Sequence, residues 1–289
     1  MLNLAVSLPS KELAHDAAKI KDFIQGAEAL GYGQVNVGEH VIGADIKNRP
    51  DWDLPNTIEG YQRDPFTILA FLAACTRHML LVTSVAILPQ RSSVHVAKQA
   101  ADIDLLSGGR LRLGVGVGRY PLEYESVGQD YKNRGNRIIE QVALMRALWT
   151  EQVVTFDGKY EKVIEQGINP LPVQRPIPIW LGGGGVESVL KRIAIIADGW
   201  LVTPLAIEGG IAGGIERYKR YATEAGKDVS KLPIMGTSSA GKGTPDDWRA
   251  DYNRWQSAGA TILSINSSGA GETPSALIDA LRRYKEAVS

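Results

Sequence analysis

Short apolar runs alternate along the chain with stretches in which apolar residues recur at the helical period. Eight runs read as strands, near residues 2–8, 34–38, 80–87, 111–116, 177–181, 199–202, 233–238 and 261–265. Between them the spacing shifts to three and four, as in Ile138, Val142, Met145 and Trp149, in Trp248, Tyr252 and Trp255, and in Leu277, Leu281 and Tyr284. Each set falls on one face of a helix. Three helix starts are also marked chemically: Asp64-Pro65, Thr244-Pro245 and Thr273-Pro274 each place a capping oxygen before a proline suited to the first helical position. Strands alternating with helices predict an α/β fold with a parallel sheet covered by helices. Eight repeats favour a closed (β/α)8 TIM barrel over an open doubly wound sheet, and no Gly-x-Gly-x-x-Gly opens a helix after the first strand. No repeat, low-complexity tract or linker divides the chain, so residues 1–289 are expected to form a single domain with insertion loops at the C-terminal face of the strands.

Two connections are too long for ordinary turns. Residues 41–63, with Pro50, Trp52, Pro55 and Tyr61, follow the second strand at its carboxyl end, where a lid or substrate loop would sit. Residues 151–176 carry Asp157-Gly158 between β-branched and aromatic residues, which predicts a small hairpin, and then descend through Pro170, Pro172 and Pro176.

Composition narrows the function classes. The 289 residues hold 32 basic and 32 acidic side chains, so there is no basic field to attract nucleic acid or an anionic membrane. A single cysteine, Cys75, permits neither an internal disulfide nor a cysteine-based zinc site, and no metal is expected. Met1 to Pro9 lacks the basic start and long apolar stretch of a signal peptide, and no run reaches the ~18 apolar residues of a bilayer span. The expectation is a soluble, cytoplasmic protein with a small-molecule substrate.

Candidate chemistry gathers at strand ends. Residues 105–118 read as a turn, an alternating strand and then alternate glycines, Gly114, Gly116 and Gly118. Glycines there let backbone approach a flat ligand, at the strand end that carries the active site in barrels. Tight turns use the same pattern. His40 closes the second strand, and an imidazole can give or take a proton near neutral pH; the alternative is a histidine bonded to neighbouring backbone. Glu39 either orients it or caps the strand. His15, His78 and His95 fall in helical or connecting segments and carry no role. Gly182 to Gly185 run into a helix starting near Val186 or Glu187, where free amides suit a phosphate, with Ser188 assisting and Glu187 opposing. A flexible connection is the other reading. Arg91, Lys191 and Arg192 are cations that either meet an anionic tail or stand in solvent.

Five blocks in order carry a resemblance: Gly38-Glu39-His40, Asp64-Pro65-Phe66, Val82-Thr83-Ser84-Val85, Ser107-Gly108-Gly109-Arg110 with the run from Gly114 to Gly118, and Trp180-Leu181-Gly182-Gly183-Gly184 followed by Ala197-Asp198-Gly199-Trp200. From residue 1 to about 203 the chain resembles the luciferase-like monooxygenase superfamily, particularly its coenzyme F420 (deazaflavin) dependent oxidoreductases. The resemblance implies that His40 is catalytic, beside the reactive carbon of the ring. It implies that Ser84 and Val85 form a backrest through a cis peptide bond, and that Gly116, Val117, Gly118 and Arg119 face the polar edge of the ring. Gly182, Gly183, Gly184, Gly185 and Val186 would hold the phosphate. The implied activity is hydride transfer between F420 and a small organic substrate. The alternative is FMN-dependent monooxygenation, and a third reading is a non-catalytic flavin-binding barrel. Two departures matter. Sugar-phosphate dehydrogenases of the subgroup carry a catalytic glutamate where this chain has Arg119, leaving Glu123 and Glu125 as nearby substitutes. Bacterial luciferase has a phosphate-binding arginine where this chain has Val117, which tilts the cofactor from FMN toward F420. Relatives commonly pair through barrel helices, so the resemblance implies a homodimer.

Overall fold

The computed structural model describes residues 1–13, 16–49, 56–204 and 207–289. Pro50, Trp52 and Pro55 of the expected lid, and His15, lie outside the described residues. The chain runs β1 (Asn3–Ser7), α1 (Ala17–Ala29), β2 (Gln34–Val37), α2 (Pro65–Cys75), β3 (Leu80–Thr83), β4 (Ala86–Ile87), α3 (Ser93–Ser107), β5 (Leu111–Gly116), α4 (Pro121–Ser126) and α5 (Arg134–Thr150). It continues through β6 (Val154–Asp157), β7 (Lys162–Gln166), β8 (Ile179–Gly183), α6 (Glu187–Ile196), β9 (Gly199–Val202), α7 (Gly210–Glu224), β10 (Ile234–Ser239), α8 (Pro245–Ala258), β11 (Ile262–Asn266) and α9 (Pro274–Val288).

The sheet order is β3-β2-β1-β11-β10-β9-β8-β5-β4, and the pairing of Leu81 with Leu111 and Val82 with Arg112 closes it into a barrel of parallel strands. All eight expected strands are present. The run at 80–87 is broken between β3 and β4 by a cis peptide bond at Ser84-Val85. The hairpin expected around Asp157-Gly158 is the antiparallel pair β6–β7, outside the barrel.

Local chemistry explains the element boundaries. Asp64 accepts from the N–H of Thr67, Thr273 from that of Ala276, and Thr244 forms a reciprocal capping box with Asp247, with proline inside the first turn each time. The α3 helix stops at Gly108, whose φ of +68° is the left-handed conformation that glycine adopts without cost. Arg110 then fills the amino-terminal end of the barrel: its guanidinium donates to the carbonyls of Ala73, Thr76 and Met79 and to the Thr76 hydroxyl. It thereby satisfies carbonyls that α2 leaves open at its end. At the same end Asp198 accepts from the Ile179 N–H and from Arg146.

Helix faces predicted from spacing are the buried ones: Ile138, Val142, Met145 and Trp149, then Trp248, Tyr252 and Trp255, then Leu277, Leu281 and Tyr284 all pack into the layer between helices and sheet. Burying each large apolar side chain contributes about 1.5–3 kcal/mol. Inside the barrel, Ala5, Val82, Trp180, Leu201, Met235 and Ile262 form a separate small core. Gly114 lies against the Thr83 carbonyl, where any β-carbon would overlap it, and this lets β3 and β5 approach closely. The closed barrel leaves the carboxyl ends of eight strands around one mouth, where the candidate residues converge.

Candidate active site

A cavity of about 590 Å³ opens at that mouth, within the range of small-molecule sites. One wall is built around Val85. A β-carbon on Gly116 or on Gly182 would come within 2.7 Å of a Val85 methyl, so these glycines make room for the valine rather than for a ligand directly. The result is a continuous surface of backbone and one isopropyl group, with Leu201 and Met235 deeper in the cavity. Gly118 turns the chain at φ +62°, with Ile87 packed where its β-carbon would be. The Tyr124 hydroxyl donates to the Val117 carbonyl at 2.6 Å and fixes the turn; burial pushes that phenol well above its usual range.

His40 projects into this cavity, its side chain one quarter exposed, and its Nδ1 lies 3.0 Å from Oε1 of Glu123, which is only 3% exposed. The same carboxylate oxygen accepts from Asn56 Nδ2 at 3.0 Å, and Asn56 also donates to the Ile42 carbonyl. An ionised carboxylate can only accept, so this bond requires the proton on Nδ1 and turns Nε2 free to accept or, once charged, to donate. The Tyr120 ring packs edge-on to the imidazole with centroids 5.1 Å apart. Glu123 stands in the first turn of α4, one helical turn beyond Arg119, and is favoured there by the helix end. Of the two glutamates named from sequence, Glu123 is brought to His40, whereas Glu125 faces solvent. Glu123 is not the solvated charge usual at a loop–helix border, because Pro121 starts α4 so that residues 123 and 124 point inward.

Glu39 turns the other way and does not orient His40. Its side chain, 1% exposed, accepts from the Ile87 N–H at 2.7 Å and from Arg91, and Arg91 donates on to Asp64 at 2.7 Å. Burial opposes the charge on Arg91, but its hydrogen bonds and ion pairs with Glu39 and Asp64 outweigh that and raise its pKa. Burial likewise opposes ionisation of Asp64, and the Thr67 N–H and Arg91 overcome it, so the carboxyl lies below its usual range. Arg91 is therefore paired within this cluster and does not stand as a free charge in solvent.

His40, Ser84, Val85, Gly116, Val117, Gly118, Arg119 and the glycines 182–184 share the cavity lining. Gly185 and Val186 lie outside it: a β-carbon on Gly185 would strike Ile207, and Val186 is half-exposed as the residue before α6. Lys191 pairs with Glu187 on the surface of α6. Arg119 stands at the rim, its guanidinium 5.3 Å from the Tyr120 ring centroid and donating to the Tyr120 hydroxyl. Gln62, Tyr120, Thr203 and Thr237 also line the cavity. Sequence reasoning did not reach them, since no periodicity distinguishes a polar residue at a strand end from one in a loop. Among the described residues no cluster of three His, Cys, Asp or Glu is arranged for a metal, and no helix is long and apolar enough to cross a membrane.

A closed parallel barrel with a cavity and a histidine–carboxylate pair at its carboxyl mouth has the anatomy of a (β/α)8 barrel enzyme. The chain belongs to the luciferase-like monooxygenase family, whose profile matches residues 3–287. It is 36% identical over 190 residues to an uncharacterized protein of Mycobacterium tuberculosis, covering 63% of this chain and 66% of that one. It is 31% identical over 189 residues to an F420-dependent glucose-6-phosphate dehydrogenase of Kineococcus radiotolerans, covering 64% of this chain and 52% of that protein. The matched segment thus spans between half and two thirds of these relatives. The fold superposes on an F420-dependent secondary alcohol dehydrogenase, bound to an F420-acetone adduct, with a TM-score of 0.79 at 17% identity, covering 100% of both chains.

Proposed function

We propose that this protein transfers hydride between coenzyme F420 and a small organic substrate, with His40 carrying the accompanying proton. The observation that bears most weight is the buried Glu123 holding His40 Nδ1 at the edge of the cavity. An oxidoreductase working on an alcohol and its carbonyl must move a proton at oxygen whenever hydride moves at carbon, and this pair is built for that.

The residues present fit a planar tricyclic group. The Ser84-Val85 segment, with Gly116 and Gly182 cleared beside it, offers one flat face. Gly116, Val117, Gly118 and Arg119 stand at one edge, and Gly182 to Gly184 lead toward α6, with Gly185 and Val186 behind them. When bound there, a deazaflavin supplies a two-electron hydride donor or acceptor. His40 Nε2 takes the hydroxyl proton of an alcohol substrate, or returns one to a carbonyl oxygen in the reverse direction. Glu123 stabilises the imidazolium so formed and keeps the ring in one orientation, and Asn56 holds Glu123. Val117, where bacterial luciferase carries an arginine for FMN phosphate, supports F420 over FMN, as do the activities named for the relatives.

Fluorescence titration of the purified protein with F420 and, separately, with FMN tests this reading in both redox states. Selective F420 binding is expected. Selective FMN binding overturns it in favour of a monooxygenase, and binding of neither overturns it in favour of a non-catalytic barrel.

A further inference from the structure

A second cavity, of about 340 Å³, opens beside the first and shares Gly38, Gln62 and Ser84 with it. We infer that this annex binds an oxyanion, a carboxylate or a phosphate, borne by the substrate, and that Lys11 is the charge that recognises it. Its assignment to the substrate rests on the hydride-transfer reading of the neighbouring cavity; the anion site itself does not.

The annex differs from the main cavity in chemistry. Serines, an asparagine, a tyrosine and a glutamine line most of it, and among the described residues no aspartate or glutamate does and Lys11 supplies its one formal charge. Lys11 makes no ion pair or hydrogen bond with the described residues. Its neighbour Glu12, the nearest carboxylate along the chain, is already occupied: it accepts from the Gly269 N–H at 2.9 Å and from the Ser268 hydroxyl at 3.3 Å, tying the loop after β1 to the loop after β11.

The floor is a polar chain beside the small apolar core inside the barrel. Gln34 Nε2 donates to Asn36 Oδ1 at 2.7 Å, Asn36 Nδ2 donates to Ser264 Oγ at 2.7 Å, and Ser264 Oγ lies 2.9 Å from Ser7 Oγ. Gln34, Asn36 and Ser264 are all buried. With Ser264 accepting from Asn36 and donating to Ser7, the Ser7 O–H is left for the annex, as is the second N–H of Asn36. Buried polar residues on the axis of a barrel weaken packing unless their hydrogen bonds are used. Here the chain delivers donors to the place where Lys11 delivers a positive charge. Donors and a cation without a carboxylate select an oxyanion. The shared wall at Ser84 puts such a group next to the Val85 face, so the rest of the substrate reaches toward His40.

The test is calorimetric titration of the cofactor-free full chain with inorganic phosphate and with acetate, on wild type, Lys11→Met and Ser7→Ala. Saturable binding of one anion by wild type is expected, weakened about tenfold or more in Lys11→Met with its melting temperature unchanged, and weakened less in Ser7→Ala, whose melting temperature falls because the buried Ser264 hydroxyl loses its partner. The same proteins are titrated with F420 and with its chromophore lacking the phosphodiester tail; Lys11→Met is expected to leave both affinities within about twofold of wild type. No anion binding, or equal binding by wild type and Lys11→Met, overturns the site. Loss of F420 affinity without loss for the tail-less chromophore gives Lys11 to the cofactor and overturns the assignment to substrate. Anion binding that depends on Lys11 in a protein that binds no F420 upholds the site while removing the hydride-transfer reading.

Discussion

Glu39 and His40 are adjacent in the chain and enter two regions governed by opposite rules. Glu39 points inward to a closed ion cluster in which both carboxylate oxygens are used, by the Ile87 N–H and by Arg91, and Arg91 is shared with the cap of α2. His40 points into a cavity, with Nδ1 fixed by Glu123 and Nε2 without a partner among the described residues, while Glu123 Oε2 is buried without one as well. A fully satisfied buried ionic cluster holds elements together. A half-satisfied pair at a cavity has bonding capacity left for something else, as the proposed hydride-transfer site requires.

Removing one side chain from each region, and reading both stability and turnover, separates the two rules with the largest effects. His40→Ala is expected to lower turnover with F420 on the order of 10²–10⁴-fold, while F420 affinity, followed by fluorescence, and melting temperature stay near wild type. Unchanged turnover removes His40 from the mechanism. Arg91→Met acts in the other currency. It leaves Glu39 buried with one N–H for company, and denaturant titration is expected to show a loss of about 3–5 kcal/mol. The double variant Glu39→Met with Arg91→Met is expected to recover much of that, because no uncompensated charge remains. If Arg91→Met instead spares stability and abolishes cofactor binding, the cluster belongs to the site and the contrast with His40 fails.

Glu123→Gln probes the His40 side alone. The amide keeps the shape but loses the charge, and it can donate as well as accept. Turnover is expected to fall about 10–100-fold, the equivalent of one charge-assisted hydrogen bond. A structural role alone would predict the same fall, so the deciding readout is the ¹⁵N spectrum of His40. Wild type is expected to show the neutral ring protonated at Nδ1, and the variant a mixture of tautomers. One tautomer in both proteins would mean that Glu123 does not set the ring.

The architecture was legible because its signals are local: apolar runs for strands, spacing for helix faces, and cap-proline pairs for three helix starts. The positions lining the cavity were legible in part, through glycines and a histidine at strand ends, but their reasons were not. Gly116 and Gly182 look like ligand clearance in sequence and are clearance for Val85 in the structure. Arg110 and Asp198 belong to blocks that carry the family resemblance, yet both serve the far end of the barrel, where they satisfy backbone groups. The partnership of His40 with Glu123 spans 83 residues, and that of Glu39 with Arg91 spans 52. Neither spacing has a periodic signature. Burial decided which glutamate of α4 matters, and that depends on how one turn of helix sits against the loop containing Asn56, which pattern alone does not encode.

The smallest effect probes the edge of the ionic region and has a definite sign with pH. Asp64 caps α2 and also receives Arg91, so Asp64→Ala is expected to cost about 1 kcal/mol near neutral pH, measured as a shift in the denaturation midpoint. Its carboxyl pKa is lowered in the folded protein relative to the unfolded chain, with burial outweighed by the Thr67 N–H and Arg91. The unfolded chain therefore binds the proton first as pH falls. The stabilisation is full above the ordinary aspartate value of roughly 4, and it is lost below that as pH falls through the folded-state value. Wild type and Asp64→Ala should accordingly converge in stability toward acid pH. Asp64→Asn, which keeps a capping oxygen but no charge, should lie between them at neutral pH. A gap between wild type and Asp64→Ala that does not narrow in acid would show the cap acting through its shape alone, and Arg91 would then owe its position to Glu39.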